Sequence, residues 1–195
     1  MLRLILASAS PRRVDLLSQI GVCPDLVEPA HIDETPQEGE LPRLYAQRMA
    51  REKAESLAER YPADMVLAAD TVVACGRRIL PKAEDATSAQ AYLTLLSGRN
   101  HRVYGAISLI KQGKVRGRLV ETRLKFKRLD SQEIRAYLAS GEWEGKAGGY
   151  AIQGLAGAFI LSLVGSYSNV VGLSLYETYC LLQGAGLTVH KNWIP

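Results

Sequence analysis

The sequence predicts a mixed α/β protein, because short strand-like segments and longer amphipathic segments alternate along its 195 residues. The middle of the chain, residues 101–129, interrupts this alternation with three strand-like runs and a turn at Gly113, which predicts an antiparallel meander. Hydrophobic residues make up 47% and charged residues 23%, the balance of an ordinary globular protein. No repeat or long linker divides the chain, so we expect one domain over residues 1–195.

The first part of the chain predicts two helices between two buried strands. Residues 2–7, LRLILA, are predicted as a strand, and residues 11–21 as a helix that ends at a glycine. A turn-rich segment follows. Residues 41–61 then place apolar or small residues on one helical face and end before a proline. Residues 65–75, MVLAADTVVAC, are short, β-branched and nearly all apolar, which is typical of a buried central strand.

The rest of the chain predicts a further set of alternating elements. A turn at residues 76–78 leads into a short strand, and the helix over 85–98 has Asp85 or Thr87 as its N-cap. After the meander, Ser131 is the expected cap of a helix that ends at a glycine. The remaining predicted elements are a helix over 131–141, a glycine-rich loop over 146–157, a strand over 158–165 and a helix over 173–186.

Composition excludes several classes of protein. No apolar run reaches the length of a membrane span, and the first residues lack the pattern of a secretory signal, so we expect a cytoplasmic protein. The three cysteines and three histidines are scattered, which favours buried free thiols over a disulfide framework or a zinc site. A net charge of +4 and a pI near 9.0 suggest a nucleic-acid-binding protein. The distribution of charge weakens this interpretation, because outside residues 113–118 and 125–128 the basic residues are interleaved with acidic ones.

The stretch ASASPRR, residues 7–13, places unusual residues where the first strand leads into the first helix. Ser10 is at the expected N-cap and Pro11 at the first helical position. Arg12 and Arg13 add positive charge to the first turn, where the helix dipole already disfavours it. They are consistent with a phosphate bound at the helix N-terminus, and alternatively with pairing to surface carboxylates.

Asp70 lies within the apolar strand 65–75, where an ionised carboxylate needs a cation or strong donors. One interpretation is a buried capping aspartate. The other is a carboxylate that binds Mg²⁺ or activates a water molecule. Asp33 and Glu34 lie in the turn-rich segment and alone predict only a solvated charge pair.

Three more polar residues become candidate ligand-binding residues when they are considered together with other parts of the sequence. Lys53 lies on the second helix and Lys82 follows the short strand. Considered singly, each lysine is interpreted as surface charge. Together with the two arginines, they supply the cations that a triphosphate needs. The loop 146–157 has four glycines in twelve residues, without the spacing of a P-loop. Its glycines let a ligand approach the backbone, and Gln153 has an amide that can match a base edge; a plain turn explains them nearly as well.

The order of these segments resembles the Maf family of nucleoside triphosphate pyrophosphatases. The resemblance extends from about residue 3 to about residue 182 and rests on ordered motifs rather than on one. The motifs are ASASPRRVDLL, HIDE, RMAREKA, AADTVV, a following PK, LSGRNHRV, KAGGYAIQG and GSYSNVVGLSLYETY. Gly105 departs from the family pattern, in which a threonine is common at that position.

The resemblance implies a fold similar to the inosine triphosphate pyrophosphatases, with an elongated twisted mixed sheet, flanking helices and a nucleotide cleft between two lobes. It implies hydrolysis between the α and β phosphates with a divalent cation, Mg²⁺, Mn²⁺ or Co²⁺. Matching positions imply Asp70 as the proton acceptor, and Glu34 with Asp70 as metal-associated carboxylates. The implied phosphate-binding residues are Ser8, Arg12, Arg13, Lys53 and Lys82.

KAGGYAIQG resembles the branch of the family that acts on dTTP and UTP, in which Arg12, Thr71 and Gln153 are the implied specificity residues. Modified pyrimidine nucleotides remain open as substrates. Two other functions also stay open: a nucleotide-binding regulator without turnover, and a nucleic-acid-binding protein that uses residues 113–128. The sequence leaves the oligomeric state undecided, with a homodimer as one option.

Overall fold

The computed structural model describes residues 3–193, except the side chain of Asn192, so Leu2 of the predicted first strand lies outside the described residues. The strands are β1 Leu4–Ala7, β2 Leu26–Glu28, β3 Met65–Cys75, β4 Arg78–Leu80, β5 Asn100–Lys111, β6 Lys114–Phe126 and β7 Ile160–Val164. The α-helices are α1 Pro11–Gln19, α2 Pro42–Arg60, α3 Ala86–Leu96, α4 Ser131–Ala139, α5 Tyr167–Val171 and α6 Leu175–Gly184. Two 3-10 helices cover Leu155–Phe159 and Val189–Trp193.

The strands form one mixed sheet in the order β2-β1-β3-β5-β6-β7, with β4 paired to β3. β1 is parallel to both β2 and β3, whereas β3, β5, β6 and β7 pair antiparallel in succession. β3 is nearly all buried, as its apolar sequence predicts. The prediction of a mixed α/β fold with a mixed sheet and flanking helices is therefore confirmed.

Two groups of hydrophobic core residues divide the sheet into lobes. The first lobe packs α1, α2 and α6 on β1 and on the first part of β3, with Leu6, Met49 and Leu67 in its core. The second lobe packs α3, α4 and the 146–159 region on β4 and the end of β6, around Phe126. Because β3 and β5 are continuous through both lobes, residues in the middle of β3 lie where the lobes meet.

The predicted meander of three runs is wrong in number, because residues 100–126 form only two long strands. β5 and β6 pair without a break from Lys111 and Lys114 to their far ends. Gln112 and Gly113 join them, and both have positive φ angles, 50° and 71°, which suits a two-residue hairpin turn. Gly117, which interrupts the apolar pattern, pairs inside β6 rather than forming a second turn.

Helix caps follow the sequence prediction only in part. The carboxylate of Asp85 accepts a hydrogen bond from the Ser88 N–H, which confirms Asp85 as the N-cap of α3. Asp130, and not the predicted Ser131, caps α4, because its carboxylate accepts from the backbone of Glu133 while the Glu133 carboxylate accepts from the Asp130 N–H.

Other local expectations also need correction. The predicted strand over 158–165 is shorter, since a 3-10 helix occupies residues 155–159, and the short helix α5 was not predicted. Cys23 is exposed and the other two cysteines are half-buried, so the expectation of buried thiols is wrong. Within residues 3–193, no helix combines the length and apolar character that a membrane span requires.

Candidate functional site

A cavity of about 330 Å³ lies between the two lobes. Its walls come from the β1–α1 loop, α2, the middle of β3, the segment after β4 and the loop before the first 3-10 helix. All the site residues predicted from the sequence line this one cavity: Ser8, Arg12, Arg13, Glu34, Lys53, Asp70, Thr71, Lys82 and Gln153. The fold thus brings together residues that are up to 145 positions apart in the chain.

The β1–α1 loop is shaped by the hydroxyl of Ser8. Ser10 occupies the N-cap of α1, but its side chain makes no capping hydrogen bond. Instead, the Ser8 Oγ accepts hydrogen bonds from the Ser10 N–H at 3.1 Å and from the Arg13 Nη1 at 3.0 Å. Because β1 runs parallel to β3, this loop leaves the sheet beside the middle of β3, where Asp70 lies.

The two arginines have different surroundings. Arg13 donates from Nε to the Gly172 carbonyl at 2.9 Å and from Nη2 to the Thr71 hydroxyl at 3.3 Å, so it ties α1 to β3 and to the segment between α5 and α6. Burial lowers the pKa of Arg13, and the charge of Asp70 opposes that effect. The Arg12 guanidinium forms no hydrogen bond or ion pair among residues 3–193, and burial lowers its pKa. The alternative that both arginines pair with surface carboxylates is therefore wrong for the described residues.

Lys53 is buried between two carboxylates, so the interpretation of this lysine by itself as surface charge is wrong. Its Nζ lies 2.7 Å from the Asp70 Oδ1 and 3.1 Å from the Glu34 Oε1. Lys53 and Asp70 are each only 8% exposed, while the Glu34 side chain is 42% exposed toward solvent. Asp70 does not cap a helix; it is a strand residue whose charge is balanced by this lysine.

The segment that carries Glu34 is attached to α2. The Tyr45 hydroxyl donates to the Glu34 carbonyl at 2.7 Å. Arg48 donates to the Thr35 carbonyl at 3.0 Å and pairs with Glu40 at 2.7 Å. Burial raises the pKa of Tyr45 to about 12, with the charges of Asp70 and Glu34 contributing, so its hydroxyl keeps the proton that it donates. Sequence reasoning missed both residues: Tyr45 lies outside the quoted motifs, and nothing in RMAREKA shows that its first residue, Arg48, contacts Thr35 and Glu40.

The carboxylates of Glu34 and Asp70 are the two that could hold a divalent cation together with phosphate, since both lie at the Lys53 ammonium. Among the described residues, no group of three or more His, Cys, Asp or Glu side chains forms a metal cage. Mg²⁺ is commonly held by one or two carboxylates together with phosphate oxygens and water. Since Glu34 and Asp70 already share the ammonium of Lys53, their arrangement fits a cation whose remaining ligands come from a substrate.

The glycine-rich loop is docked onto the second lobe by its backbone. Lys82 and Ala147 form an antiparallel bridge, and the Gly148 N–H donates to the Leu80 carbonyl at 2.9 Å. Gly148 has φ +70°, and a Cβ there would lie 2.8 Å from a methyl group of Val73. A glycine is required at this position, so the loop is more than a plain turn.

Gln153 extends from a segment that is held on both sides. The Ala151 N–H donates to the Tyr137 hydroxyl at 3.1 Å, and the Leu155 N–H donates to the Glu142 carboxylate at 2.8 Å. The Gln153 side chain itself is exposed at the cavity. Tyr137 and Glu142 were not found from the sequence, because their role depends on a contact across 13 or 14 residues that no periodicity encodes.

Gly105, which departs from the family pattern, is explained by Asn169. A Cβ at Gly105 would lie 1.8 Å from the Asn169 Oδ1. Asn169 is buried on α5, and its amide donates to the Val103 carbonyl at 3.3 Å and to the Thr122 hydroxyl at 3.1 Å. These bonds hold α5 on the sheet, and α5 leads directly to the carbonyl of Gly172 that fixes Arg13.

His101 packs behind the cavity wall, where it contacts a residue that lines the cavity, and its burial makes the stability of the protein depend on pH. It is 2% exposed, and its Nε2 shares a hydrogen bond of 2.8 Å with the hydroxyl of Tyr150, which lines the cavity. Burial lowers the pKa of His101 from 6.5 to about 4. As pH falls from about 6.5 to about 4, the unfolded chain gains a proton on this ring that the folded chain does not, so stability is lost over that range.

We expect His101→Gln to show a smaller loss of Tm between pH 7.5 and pH 5 than the wild type. Glutamine can retain the bond to Tyr150 but does not titrate. The carboxylates are the same in both proteins, so the difference isolates the histidine. An equal loss in the two proteins would assign the pH dependence to other groups.

Most of the chain, with every residue that lines the cavity, falls within a match to a known family. The family model described as Maf-like protein matches residues 3–185. The chain belongs to the Maf family. It is similar to relatives named dTTP/UTP pyrophosphatase: one from Mesorhizobium japonicum is 60% identical, covering 98% of this chain and 96% of the relative. Another, from Paramagnetospirillum magneticum, is 62% identical, covering 94% of this chain and 97% of the relative.

The Maf fold of this chain also has a likeness among solved structures. A HAM1 protein from Coxiella burnetii aligns with a TM-score of 0.53 at 15% identity, over 94% of this chain and 100% of the other. At that identity the likeness concerns the fold alone. It supports the mixed sheet with two lobes that the sequence resemblance implied.

Proposed function

We propose that this Maf protein is a nucleoside triphosphate pyrophosphatase that hydrolyses dTTP and UTP to the nucleoside monophosphate and pyrophosphate. The observation that carries the proposal is the cavity itself, where Lys53 lies between Asp70 and Glu34 and several cations face the same space. The names of relatives at 60% and 62% identity support the substrate pair. All parts of the site belong to one continuous sheet and its connections, which supports a single domain.

In the proposed reaction, the chain binds the triphosphate with groups from both lobes. The N–H groups at the start of α1, the guanidinium of Arg12 and the ammonium of Lys82 offset negative charge on the phosphates. A divalent cation held by Glu34 and Asp70 would neutralise further charge on the phosphate oxygens. Offsetting this charge lowers the repulsion that otherwise resists an attacking water molecule.

Asp70 is the residue positioned to activate that water. Its Oδ1 is bound to Lys53, which leaves the second carboxylate oxygen to accept a proton from a water molecule in the cavity. Lys53 keeps Asp70 oriented and balances its charge. Attack at the α phosphate would release pyrophosphate, whose new charge the neighbouring cations stabilise.

The products test this proposal. Incubation of the protein with UTP and Mg²⁺, Mn²⁺ or Co²⁺, in separate assays, should yield UMP and pyrophosphate in equal amounts. Release of orthophosphate with UDP as the main product would contradict cleavage between the α and β phosphates. Saturable binding of UTP with no turnover under any of the three metals would favour the nucleotide-binding regulator.

The nucleic-acid alternative has little support from the residues of 113–128. Arg116 donates to the Gly184 carbonyl at the end of α6, and Lys111, just before this stretch, donates to the Ala185 carbonyl at 2.6 Å. Arg118 pairs with Glu177 at 3.3 Å. Arg116 and Lys111 thus stabilise the carboxyl end of α6, where the helix dipole favours positive charge, and Arg118 pairs with a glutamate in its first turn. These three cations serve the fold rather than an open basic surface.

Gln153 predicts the base preference. Its amide has both a donor and an acceptor, which match the N3–H and carbonyl edge shared by uracil and thymine. We expect kcat/KM to be higher for dTTP and UTP than for CTP, ATP and GTP. Gln153→Ala should lose this preference by about tenfold while binding pyrophosphate nearly as well as the wild type.

Gln183→Ala is a suitable control for that experiment, because Gln183 lies on α6 and does not line the cavity. Its substrate ranking should equal that of the wild type. A preference of the wild type for a purine nucleotide would overturn the assignment of Gln153 and of the branch.

A further inference from the structure

A cation that the sequence analysis did not assign lies on the second-lobe wall of the cavity. Lys146 opens the glycine-rich loop, is half-buried and lines the same cavity as Arg12. Its Nζ donates to the Glu144 carbonyl at 2.7 Å. An ammonium has three N–H donors, so two remain for a ligand.

The charge of Lys146 is not balanced by an ion pair in residues 3–193. Burial and the charge of Arg12 lower the pKa of Lys146, whereas the charges of Glu142 and Glu144 raise it. The nearby carboxylate of Glu142 accepts from the backbone of Leu155 and Ala156 instead. Lys53 differs, because two carboxylates neutralise it.

The backbone around Lys146 is fixed rather than open. Its N–H donates to the Trp143 carbonyl at 3.2 Å, and its carbonyl accepts from the Gly149 N–H at 3.0 Å. The next residue, Ala147, bridges to Lys82. Lys146 and Lys82 therefore both lie on the second-lobe wall of the cavity, and Arg12 lies on its first-lobe wall.

Arg12 and Lys146 are both half-buried at the same cavity, and an anion between two such positive charges stabilises them. We propose that Lys146 is a phosphate-binding residue, which holds the polyphosphate chain of the nucleotide from the second lobe opposite Arg12. This inference rests on the proposed pyrophosphatase function and adds a contact to it. A charged hydrogen bond from each lobe to one ligand also explains why the glycine-rich loop must dock so closely on β4.

Inorganic pyrophosphate is the probe that tests this role without turnover. In calorimetric titrations, Lys146→Gln should bind pyrophosphate about tenfold more weakly than the wild type. Lys146→Arg should stay within about threefold, because it keeps the charge. Lys125→Gln is the matched control: Lys125 is exposed on β6, lies outside the cavity and should change the affinity by less than about twofold.

The Tm values of the three variants should match the wild type within a few degrees, since Lys146 forms no ion pair in the described chain. Equal pyrophosphate affinities of Lys146→Gln and Lys125→Gln would overturn the inference. If Lys146→Gln did not fold, Lys146→Arg would carry the test. A folded Lys146→Arg that bound pyrophosphate tenfold more weakly than the wild type would overturn the inference, because a positive charge at this position would then not be sufficient. Pyrophosphate binding that depends on Lys146, without UTP hydrolysis by the wild type, would contradict only the proposed function.

Discussion

Asp70→Asn is expected to lower kcat for UTP by about 100-fold or more while nucleotide binding survives. Asparagine keeps the size of the side chain and an oxygen toward Lys53, but its amide cannot take a proton from water. The groups that hold the phosphates are on other elements and stay in place. Steady-state kinetics give kcat, and calorimetry with pyrophosphate gives binding separately.

Asp85→Asn is a matched control for that variant. Asp85 caps α3 outside the cavity, and asparagine is an equally good N-cap, so activity and Tm should stay near the wild-type values. Near-normal kcat in Asp70→Asn would remove Asp70 from the proton-acceptor role. It would leave Asp70 as a structural partner of Lys53 only.

Lys53→Met is expected to have a large effect on both stability and activity. Methionine keeps the apolar stem of the side chain but removes the charge between Asp70 and Glu34. Removal of one partner from a buried ion pair costs about 3 kcal/mol, because the other charge is left without compensation. We expect a clear fall of Tm and a loss of about 100-fold in kcat/KM for UTP.

A second measurement on Lys53→Met separates charge from packing. Mg²⁺ without nucleotide should raise the Tm of the variant more than that of the wild type, because the cation can take the place of the lost ammonium between the carboxylates. Arg51→Met is the control, because Arg51 is a cation on the exposed face of α2 that pairs with Glu55. This variant should lose little stability and no activity. A wild-type Tm and activity for Lys53→Met would show that the buried pair has neither role.

Much of the local structure could be predicted from the sequence, because local structure depends on neighbours in the chain. The apolar run of β3, the amphipathic pattern of α2 and the cap at Asp85 are all decided within a few residues. Two errors have different causes. Asp130 and not the adjacent serine caps α4, which is a local competition, whereas Gly117 stays in β6 because it pairs with Ser108 of β5.

The ordered motifs also identified the family, and they named the residues that the cavity collects. What the sequence alone left open was the relation between those residues. Lys53 taken alone predicted surface charge, and only its company of other cations suggested a phosphate site, because a helical lysine carries no mark of Asp70, 17 residues further on. Arg13 was assigned to phosphate, with no sign of the Gly172 carbonyl 159 residues away.

The sequence by itself determined the alternation of helices and strands, the family and the set of charged and polar residues at the site. Only the tertiary structure decided which cations are neutralised and which are not: Lys53 by two carboxylates, Arg13 held by carbonyl and hydroxyl oxygens, and Arg12 and Lys146 without an ion pair in the described residues. The physical reason is that the energy of a charge depends on its burial and on the partners within a few ångströms. Those partners come from strands and loops that are adjacent in the sheet but distant in the chain.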